Sequence, residues 1–339
     1  MKVLIIGSGA IGAFIGGVLA KSGQDVTFLD LPEVVERIKS QGITVEGIGE
    51  KIHIDHPCAI SSVDDNSRFD LAVLSVKSYT TIPAIKNLPV TIADFIITFQ
   101  NGIGNEEILA EKFGKQNVIA GSITYPVAVI GPGHIKIENQ KGGLGIAPMD
   151  PTIDIGEIPS LFQKAGLNVE TYNNYRSLKW SKLMLNIVCN ATCAILGMTP
   201  EQIFSDRRLV GIERESIREL LNVMKKKNIP VVDLPGYPVK LMKNVYSLLP
   251  PSLLKLVLKN RIKKSRGDKK PSLLIEVEKG SKITEVDVYN GAIYESARKT
   301  GIPAPVNRAL TDILDKITSG EVDWSELKEN PGKLIDACK

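Results

Sequence analysis

The sequence predicts an α/β fold in which a parallel-sheet domain, residues 1–172, precedes an all-α domain, residues 173–339. Three observations support this prediction. Short apolar runs of strand type alternate with helical segments in the first half, a glycine-rich turn follows the first run, and the second half has helical periodicity almost throughout. At 339 residues the chain is long enough for two domains with separate cores.

The first half alternates strand and helix from its first residues. We predict strands at residues 3–6, 26–29, 71–76, 95–99, 118–123 and 168–172, and helices at 10–21, 33–41, 80–87, 105–113 and 155–165. This alternation specifies a parallel sheet with helices on both faces, whose carboxyl strand ends share one ligand-binding edge. A β-rich stretch runs to about residue 60, and residues 134–138 and 143–146 are predicted to form a hairpin.

The second half is predicted to be helical from residue 173 onward. Apolar residues recur at intervals of three to five positions between Leu209 and Met224, and Ser205 or Asp206 precedes them as a candidate N-cap. Periodicity of this kind places one face of a helix in a core. We expect this domain to bind the substrate, and a homodimer could form through it.

The composition is that of an ordinary globular protein. Apolar residues make up 43% and charged residues 24%, and the net charge of +4 is too small to imply a nucleic-acid partner. The uncharged run over residues 3–20 imitates a membrane anchor, but its glycines argue against one. The four cysteines lack paired spacing, so we expect a cytoplasmic protein with no membrane partner and no metal site.

One segment is much more basic than the rest of the chain. Residues 240–270 hold ten Lys or Arg and only Asp268 as an acid, a local charge of +9. Leucines interleaved with basic residues are also typical of a membrane-surface helix or a nucleic-acid patch. Pro250 and Pro251 interrupt the stretch, however. We interpret it as a solvated connection that attracts anionic substrate and cofactor.

A glycine fingerprint follows the first predicted strand and opens the first predicted helix. It comprises Gly7, Ser8, Gly9, Ala10, Ile11 and Gly12. The first glycine permits the tight turn, the second lets the backbone approach a pyrophosphate, and the third allows close packing of helix on strand. In this context the pattern predicts a Rossmann-type domain that binds a dinucleotide through these six residues.

Asp30 ends the second predicted strand, 18 residues after Gly12. A carboxylate at this position accepts hydrogen bonds from the ribose hydroxyls of NAD and repels a 2′-phosphate. Leu31, Pro32 and Glu33 follow it without a basic residue. The local chemistry therefore favours NADH over NADPH.

A polar stripe interrupts the apolar helix predicted over residues 178–196. Lys182, Asn186 and Asn190 recur at four-residue steps, which places them on one face of a helix. Such groups are costly in a buried helix unless a core hydrogen-bond network or a substrate satisfies them. As a substrate site, the stripe offers amides for oxygens and a lysine that can protonate an alkoxide when hydride reaches its carbon.

Two strand ends are expected to lie on the ligand-binding edge of the sheet. Lys77 follows the strand at 71–76, and Asn101 follows the strand at 95–99 within a Gln-Asn-Gly-Ile-Gly sequence. We expect the active site to lie between the two domains, where these residues meet the polar stripe.

Taken together, these motifs resemble the ketopantoate reductase (2-dehydropantoate 2-reductase) family over nearly the whole chain. The motifs are the glycine fingerprint, Val76-Lys77, Asn101-Gly102-x-Gly104, Lys182-x3-Asn186-x3-Asn190, Thr284-Glu285-Val286-Asp287 with Asn290-Gly291, and Gly301-Ile302-Pro303. They are specific in combination.

The resemblance implies reduction of the C2 ketone of ketopantoate to pantoate, in pantothenate and coenzyme A biosynthesis, with NAD(P)H as hydride donor. It implies that Lys182 is the general acid and that Glu285 orients the substrate or the lysine. Asn186 and Asn190 would contact substrate oxygens, Ser272 would lie near the substrate carboxylate, and Lys77 and Asn101 would lie beside the nicotinamide. Family precedent favours NADPH, whereas Asp30 favours NADH.

Two alternatives stay open at this point. One is an NAD-dependent D-2-hydroxyacid dehydrogenase acting on other branched or aromatic 2-keto acids, because related sequences reduce such substrates. The other is a non-catalytic dinucleotide sensor that binds an anionic partner through the basic segment. The polar stripe and Glu285 argue against a sensor, which needs no buried proton donor.

Overall fold

The computed structural model describes residues 1–265 and 270–338, without the side chains of residues 259–265. The chain divides into two compact units. The first contains residues 1–100, 104–179 and 233–237, and the second contains residues 101–103, 180–232 and those from 238 onward. The chain passes from the first unit to the second mainly between residues 179 and 180, within a helix. This point lies seven residues after the domain boundary expected from the sequence, 172/173.

The first unit holds the β-strands. They are β1 (Lys2–Ile6), β2 (Asp25–Leu29), β3 (Ile43–Glu46), β4 (Ile52–Ile54), β5 (Cys58–Ile60), β6 (Phe69–Leu74), β7 (Ala93–Thr98), β8 (Val118–Ile123), β9 (Val127–Gly131), β10 (His134–Ile137), β11 (Leu144–Pro148) and β12 (Val169–Thr171).

A large sheet of order β5-β2-β1-β6-β7-β8-β11-β12 forms the centre of this unit. Neighbouring strands are parallel except β11, which runs antiparallel to β8. Val3 and Ile5 of β1 lie in one buried apolar core, and Leu4 and Ile6 lie in another. The sheet is therefore covered on both faces, as parallel sheets require. The predicted fold class is confirmed.

The topology also determines where a ligand can bind. From β5 to β8 the strands follow the doubly wound order, in which the winding direction reverses between β1 and β6. Ligands of such sheets bind outside the carboxyl ends of the strands at this reversal. Here these ends lead into the glycine turn after Ile6 and into Lys77 after Leu74.

A smaller sheet of order β4-β3-β10-β9 shows that the predicted hairpin is wrong. β10 lies between β3 and β9, whereas β11 joins the large sheet. The burial of the two strands explains the separation. Leu144–Ala147 of β11 are all buried and need cover on both faces, while burial alternates along β10.

Helices surround the sheets of the first unit and make up most of the second. They are α1 (Ala10–Lys21), α2 (Pro32–Gln41), α3 (Thr81–Ile85), α4 (Asn105–Phe113), α5 (Ile158–Lys164), α6 (Tyr175–Ile187), α7 (Ala191–Leu196), α8 (Pro200–Ile203), α9 (Arg207–Lys226), α10 (Val239–Leu248), α11 (Pro251–Ser265), α12 (Ser272–Glu278), α13 (Ala292–Thr300), α14 (Pro305–Ser319) and α15 (Pro331–Ala337). A π-helical turn, Asp287–Gly291, leads into α13.

The long amphipathic helix α9 is central to the second unit. Its buried face includes Leu209, Ile217 and Leu220, and α10, α11, α13, α14 and α15 all pack against it. The side chain of Asp206 accepts a hydrogen bond from the Arg208 backbone N–H at 2.8 Å. This bond satisfies one of the donors left open at a helix start, so the prediction of an N-cap at this point is confirmed.

The described part of the basic segment forms two helices, α10 and α11, separated at Leu249 and Pro250. α10 ends at Leu248, and the Arg214 guanidinium donates to the Leu249 carbonyl at 2.7 Å. α11 then begins at Pro251, as suits a residue without a backbone N–H. The side chains of residues 259–265 and all of 266–269, which carry much of the basic charge, lie outside the described residues.

Within residues 1–265 and 270–338, no helix is both long and apolar enough to cross a membrane. In the same residues, no group of three or more His, Cys, Asp and Glu side chains could hold a metal ion.

The Asp315 carboxyl on α14 gives a testable pH dependence. Partial burial, together with the charges of Asp287 and Asp312, raises its pKa from 3.8 to about 6. The folded state thus holds this proton more tightly than the unfolded state, so the contribution to stability is complete below pH 3.8 and is lost as the pH rises through about 6. We expect Asp315→Asn to be more stable than the parent at about pH 8 and similar at about pH 4, in urea unfolding followed by circular dichroism. A difference that does not change with pH would contradict this assignment.

Candidate functional site

The glycine turn joins β1 to α1 at the carboxyl edge of the sheet. Gly7 has a φ of +91°, and an added Cβ on Gly12 would lie 1.8 Å from the Gly7 carbonyl oxygen. Both positions therefore exclude larger residues for reasons internal to the protein. Gly9 differs, because an added Cβ there would meet nothing within 4 Å. The open space beside Gly9 fits a ligand that approaches the backbone.

The start of α1 offers donors to such a ligand. The Ala10, Ile11 and Gly12 amides belong to the first helical turn, where N–H groups lack intrahelical acceptors, and no side chain caps this end. The Ser8 hydroxyl is buried and has no hydrogen-bond partner among the described residues. These groups fit the pyrophosphate of a dinucleotide, which helix N-termini bind through backbone N–H groups.

Asp30 lies directly beside this turn. One carboxylate oxygen accepts a hydrogen bond from the Ser8 backbone N–H, and the other accepts one from the Leu31 N–H at 2.8 Å. The strand end and the glycine turn are thus linked by a negatively charged group. This arrangement suits ribose hydroxyls, which donate to a carboxylate, and disfavours a 2′-phosphate.

The end of β6 is tied to the glycine turn and to the end of β7. Ser75 donates to the Gly7 carbonyl at 2.7 Å, and the Gln100 side-chain amide donates to the Val76 carbonyl at 2.9 Å. Lys77 follows with an exposed side chain, and its carbonyl accepts the Thr80 hydroxyl at 2.7 Å. The structure therefore brings the fingerprint, Asp30 and Lys77 to one edge of the first unit.

A buried lysine that the sequence did not reveal also lies in the first unit. Lys179, only 3% exposed, forms an ion pair with Glu106, 1% exposed, at 2.8 Å. The same ammonium donates to the carbonyls of Gln100 at 2.6 Å and Gly121 at 3.3 Å. Burial raises the pKa of Glu106, and the Lys179 ammonium opposes that rise. Lys179 therefore links the segment that follows β7 to β8.

The polar stripe of the second unit is not carried by one helix. α6 ends at Ile187 and α7 begins at Ala191, and between them Cys189 has a φ of +56°. The prediction of one continuous helix over residues 178–196 is wrong at this point. Lys182 and Asn186 remain one turn apart on α6, whereas Asn190 is turned out of their line.

The Asn186 and Asn101 side chains are in contact within the second unit. Asn186 donates from Nδ2 to Asn101 Oδ1 at 3.1 Å. A backbone bond from Ile103 N–H to the Val288 carbonyl, 3.1 Å, holds the segment that carries Asn101. Two candidate residues far apart in sequence are thereby brought together.

Asn190 and Ser272 form a second contact. Asn190 Nδ2 donates to Ser272 Oγ at 3.3 Å, and Asn190 Oδ1 accepts the Leu273 backbone N–H at 3.1 Å. The amide therefore caps the start of α12 and orients the Ser272 hydroxyl, which is exposed. An Asn side chain has two N–H donors, so the second can still reach a substrate oxygen.

Glu285 joins this cluster through Tyr289, a residue absent from the sequence-based candidates. The Tyr289 hydroxyl donates to Glu285 Oε2 at 3.3 Å and is also hydrogen-bonded with Ser272. Burial and the nearby Glu285 and Glu276 carboxylates raise the pKa of Tyr289, which keeps it a donor. We call Asn190, Ser272, Glu285 and Tyr289 the polar cluster. Its amide and hydroxyls can donate to the oxygens of a hydroxy or keto acid, and its carboxylate can accept from a hydroxyl group.

Comparison with known proteins gives the class of this chain. A family model described as ketopantoate reductase PanE/ApbA matches residues 3–151, and the model of its C-terminal domain matches residues 174–318. The protein is thus an NAD(P)-dependent oxidoreductase that acts on a CH–OH group. More narrowly, the chain belongs to the ketopantoate reductase family.

Individual relatives match over most of their length. The 2-dehydropantoate 2-reductase of Pyrococcus horikoshii is 29% identical over 313 residues, which cover 91% of this chain and 95% of that protein. The enzyme of the same name from Archaeoglobus fulgidus is 26% identical over 322 residues, 94% of this chain and 98% of that one.

Solved structures share the fold. A PanE/ApbA family ketopantoate reductase from Ralstonia eutropha superposes with a TM-score of 0.79 at 27% identity, covering 95% of this chain and 99% of that one. D-mandelate dehydrogenase with NADH and anilino(oxo)acetate has the same fold, with a TM-score of 0.76, 21% identity, and coverage of 94% and 99%.

The Lys179–Glu106 pair yields a prediction about stability. We expect Lys179→Met to lower the free energy of unfolding by roughly 3–5 kcal/mol, because a buried carboxylate would lose its counter-charge. The double variant Lys179→Met with Glu106→Leu should regain most of that loss, since it removes both charges. Urea unfolding of the parent, both single variants and the double variant measures the coupling. If the changes in the free energy of unfolding of the two single variants add up to that of the double variant, the ion pair contributes nothing to stability.

Proposed function

We propose that this protein is a 2-dehydropantoate 2-reductase, which reduces the C2 ketone of ketopantoate to the alcohol with NAD(P)H. The observation that carries the proposal is the polar cluster, in which an amide, a hydroxyl, a phenol and a carboxylate converge. Membership of the ketopantoate reductase family and a relative named 2-dehydropantoate 2-reductase that matches over 91% of this chain support it. We further propose that it acts in the cytoplasm on a small 2-keto acid, as a homodimer.

The proposed mechanism assigns a role to each candidate residue. Gly7 to Gly12, Asp30, Lys77 and Asn101 hold the dinucleotide, which supplies hydride to the substrate carbon. Lys182 delivers a proton to the oxygen that becomes the alcohol, as a general acid. Asn186, Asn190 and Ser272 hold substrate oxygens, and Glu285 orients the substrate or the lysine. Fixed donors of this kind stabilise the charge that develops on the oxygen.

A second candidate is reduction of other branched or aromatic 2-keto acids with NADH. The link between Asp30 and the Ser8 backbone N–H favours NADH, since it places a negative charge where a 2′-phosphate would lie. A panel of 2-keto acids that includes ketopantoate, assayed with NADH and NADPH by loss of nicotinamide absorbance, separates the two candidates. Ketopantoate should give the highest kcat/KM. A higher value for an aromatic keto acid would favour the second candidate.

Substitution of Lys182 tests the proton donor. We expect Lys182→Ala to lower kcat by about 10²- to 10⁴-fold, the contribution typical of a positioned general acid. The dissociation constant of the dinucleotide, measured by nicotinamide fluorescence, should stay within about twofold because Lys182 is not part of the proposed cofactor site. Lys225→Ala, which removes an exposed lysine of the same unit, is the matched control. An unchanged kcat in Lys182→Ala would exclude this lysine as the acid.

Substitution of Asp30 tests cofactor selection. We expect the parent to prefer NADH, and Asp30→Asn to lower kcat/KM for NADH by roughly ten- to hundredfold, since a hydrogen bond to a charged group contributes about 1.5–3 kcal/mol. The value for NADPH should rise or hold, because the repulsion is removed. Initial rates with each cofactor at equal concentration provide the comparison. A parent that strongly prefers NADPH would refute this assignment.

A further inference from the structure

The break between α6 and α7 is unusual because a non-glycine residue is held in a left-handed conformation. Cys189, fully buried, has a φ of +56°. A conformation of this kind costs free energy and persists only where the surroundings enforce it. Something in the second unit must therefore stabilise the break.

A buried carboxylate on α9 supplies that stabilisation. Glu213, 3% exposed, accepts the Cys189 backbone N–H on Oε2 at 2.7 Å and the Thr192 hydroxyl on Oε1 at 2.5 Å. One side chain thus accepts hydrogen bonds from Cys189, two residues before the start of α7, and from Thr192 in its first turn. Hydrogen bonds to an ionised acceptor are about twice as strong as neutral ones.

The break determines where Asn190 lies. In a continuous helix Asn190 would stay in line with Lys182 and Asn186, because four-residue steps share a face. With the break, its amide bonds both Ser272 Oγ and the Leu273 N–H, and so joins the polar cluster. The other end of α7 is held independently, by the Trp324 indole N–H donating to the Ala194 and Ile195 carbonyls at 2.9 Å.

We propose that Glu213 is a positioning residue for substrate binding, which holds the break at Cys189 and thereby directs Asn190 and Ser272 into the polar cluster. Glu213 does not itself contact the substrate in this proposal. The inference rests on the proposed function for its kinetic consequence, because it treats the polar cluster as the keto-acid site.

Three variants at two positions test the proposal. In Glu213→Gln the amide oxygen can accept the Cys189 N–H and the NH₂ group can donate to the Thr192 hydroxyl, so both bonds survive. Glu213→Met has a similar length and no acceptor. Cys189→Gly adopts a positive φ without strain, so it should make the break easier to form when the carboxylate is missing.

The expected result is a selective change in keto-acid binding. Glu213→Met should raise KM for ketopantoate at least tenfold, while the dinucleotide dissociation constant stays within about twofold. Glu213→Gln should leave KM within about twofold of the parent. Adding Cys189→Gly to Glu213→Met should lower the raised KM by about fivefold. Adding Cys189→Ala, which keeps the Cβ, should not lower it.

A core variant on the same helix separates positioning from stability. Leu220 is fully buried on α9, and Leu220→Ala should lower the melting temperature through a cavity without raising KM. If Glu213→Met lowers the melting temperature as Leu220→Ala does but leaves KM unchanged, Glu213 has only a structural role. Equal recovery by the alanine and glycine variants at residue 189 would also overturn the proposal.

A structural readout keeps this test independent of the reaction. Crystal structures of the parent and of Glu213→Met give the Asn190 Nδ2 to Ser272 Oγ distance directly. If the parent reduces no 2-keto acid, the proposed function fails, yet a lost contact in Glu213→Met still supports positioning by Glu213. An intact contact with Cys189 still left-handed would refute it whatever the activity.

Discussion

Buried polar groups must find hydrogen-bond partners, and that constraint organises both units of this protein. In the first unit the buried Lys179 ammonium is satisfied by Glu106 and by the Gln100 and Gly121 carbonyls. In the second unit the buried Glu213 carboxylate is satisfied by the Cys189 N–H and the Thr192 hydroxyl, on either side of the start of α7. Burying either charged group without hydrogen-bond partners would cost free energy. The backbone groups that supply those partners are therefore held in place.

Local sequence determined much of the first unit. The order of apolar runs, helices and glycines is sufficient to predict α1 and α4 to the residue and a Rossmann-type parallel sheet, because connections between parallel strands follow few topologies. The hairpin failed for a physical reason. β10 and β11 are close in sequence, but a strand buried on both faces cannot remain beside one whose burial alternates.

The candidate site was less accessible from sequence, although some signals were present. Leu209, Glu213, Ser216 and Leu220 follow helical spacing, so Glu213 lies on the buried face of α9. A carboxylate at such a position could have been noticed. Nothing local distinguishes the buried Lys179 from Lys182 three residues later, since the partner Glu106 is distant in sequence. The positive φ of Cys189 likewise depends on tertiary contacts, which spacing on one helix cannot reveal.

The return of residues 233–237 to the first unit bears on how the protein could be divided. The Pro235 carbonyl accepts the buried Thr124 hydroxyl at 2.7 Å, and Gly236 packs on the Lys141 carbonyl where no Cβ would fit. A fragment that stopped after α6 would lack both contacts. The first unit is therefore not an autonomous module that recombination could transfer with a single crossover, because its residues 233–237 are encoded downstream of α9.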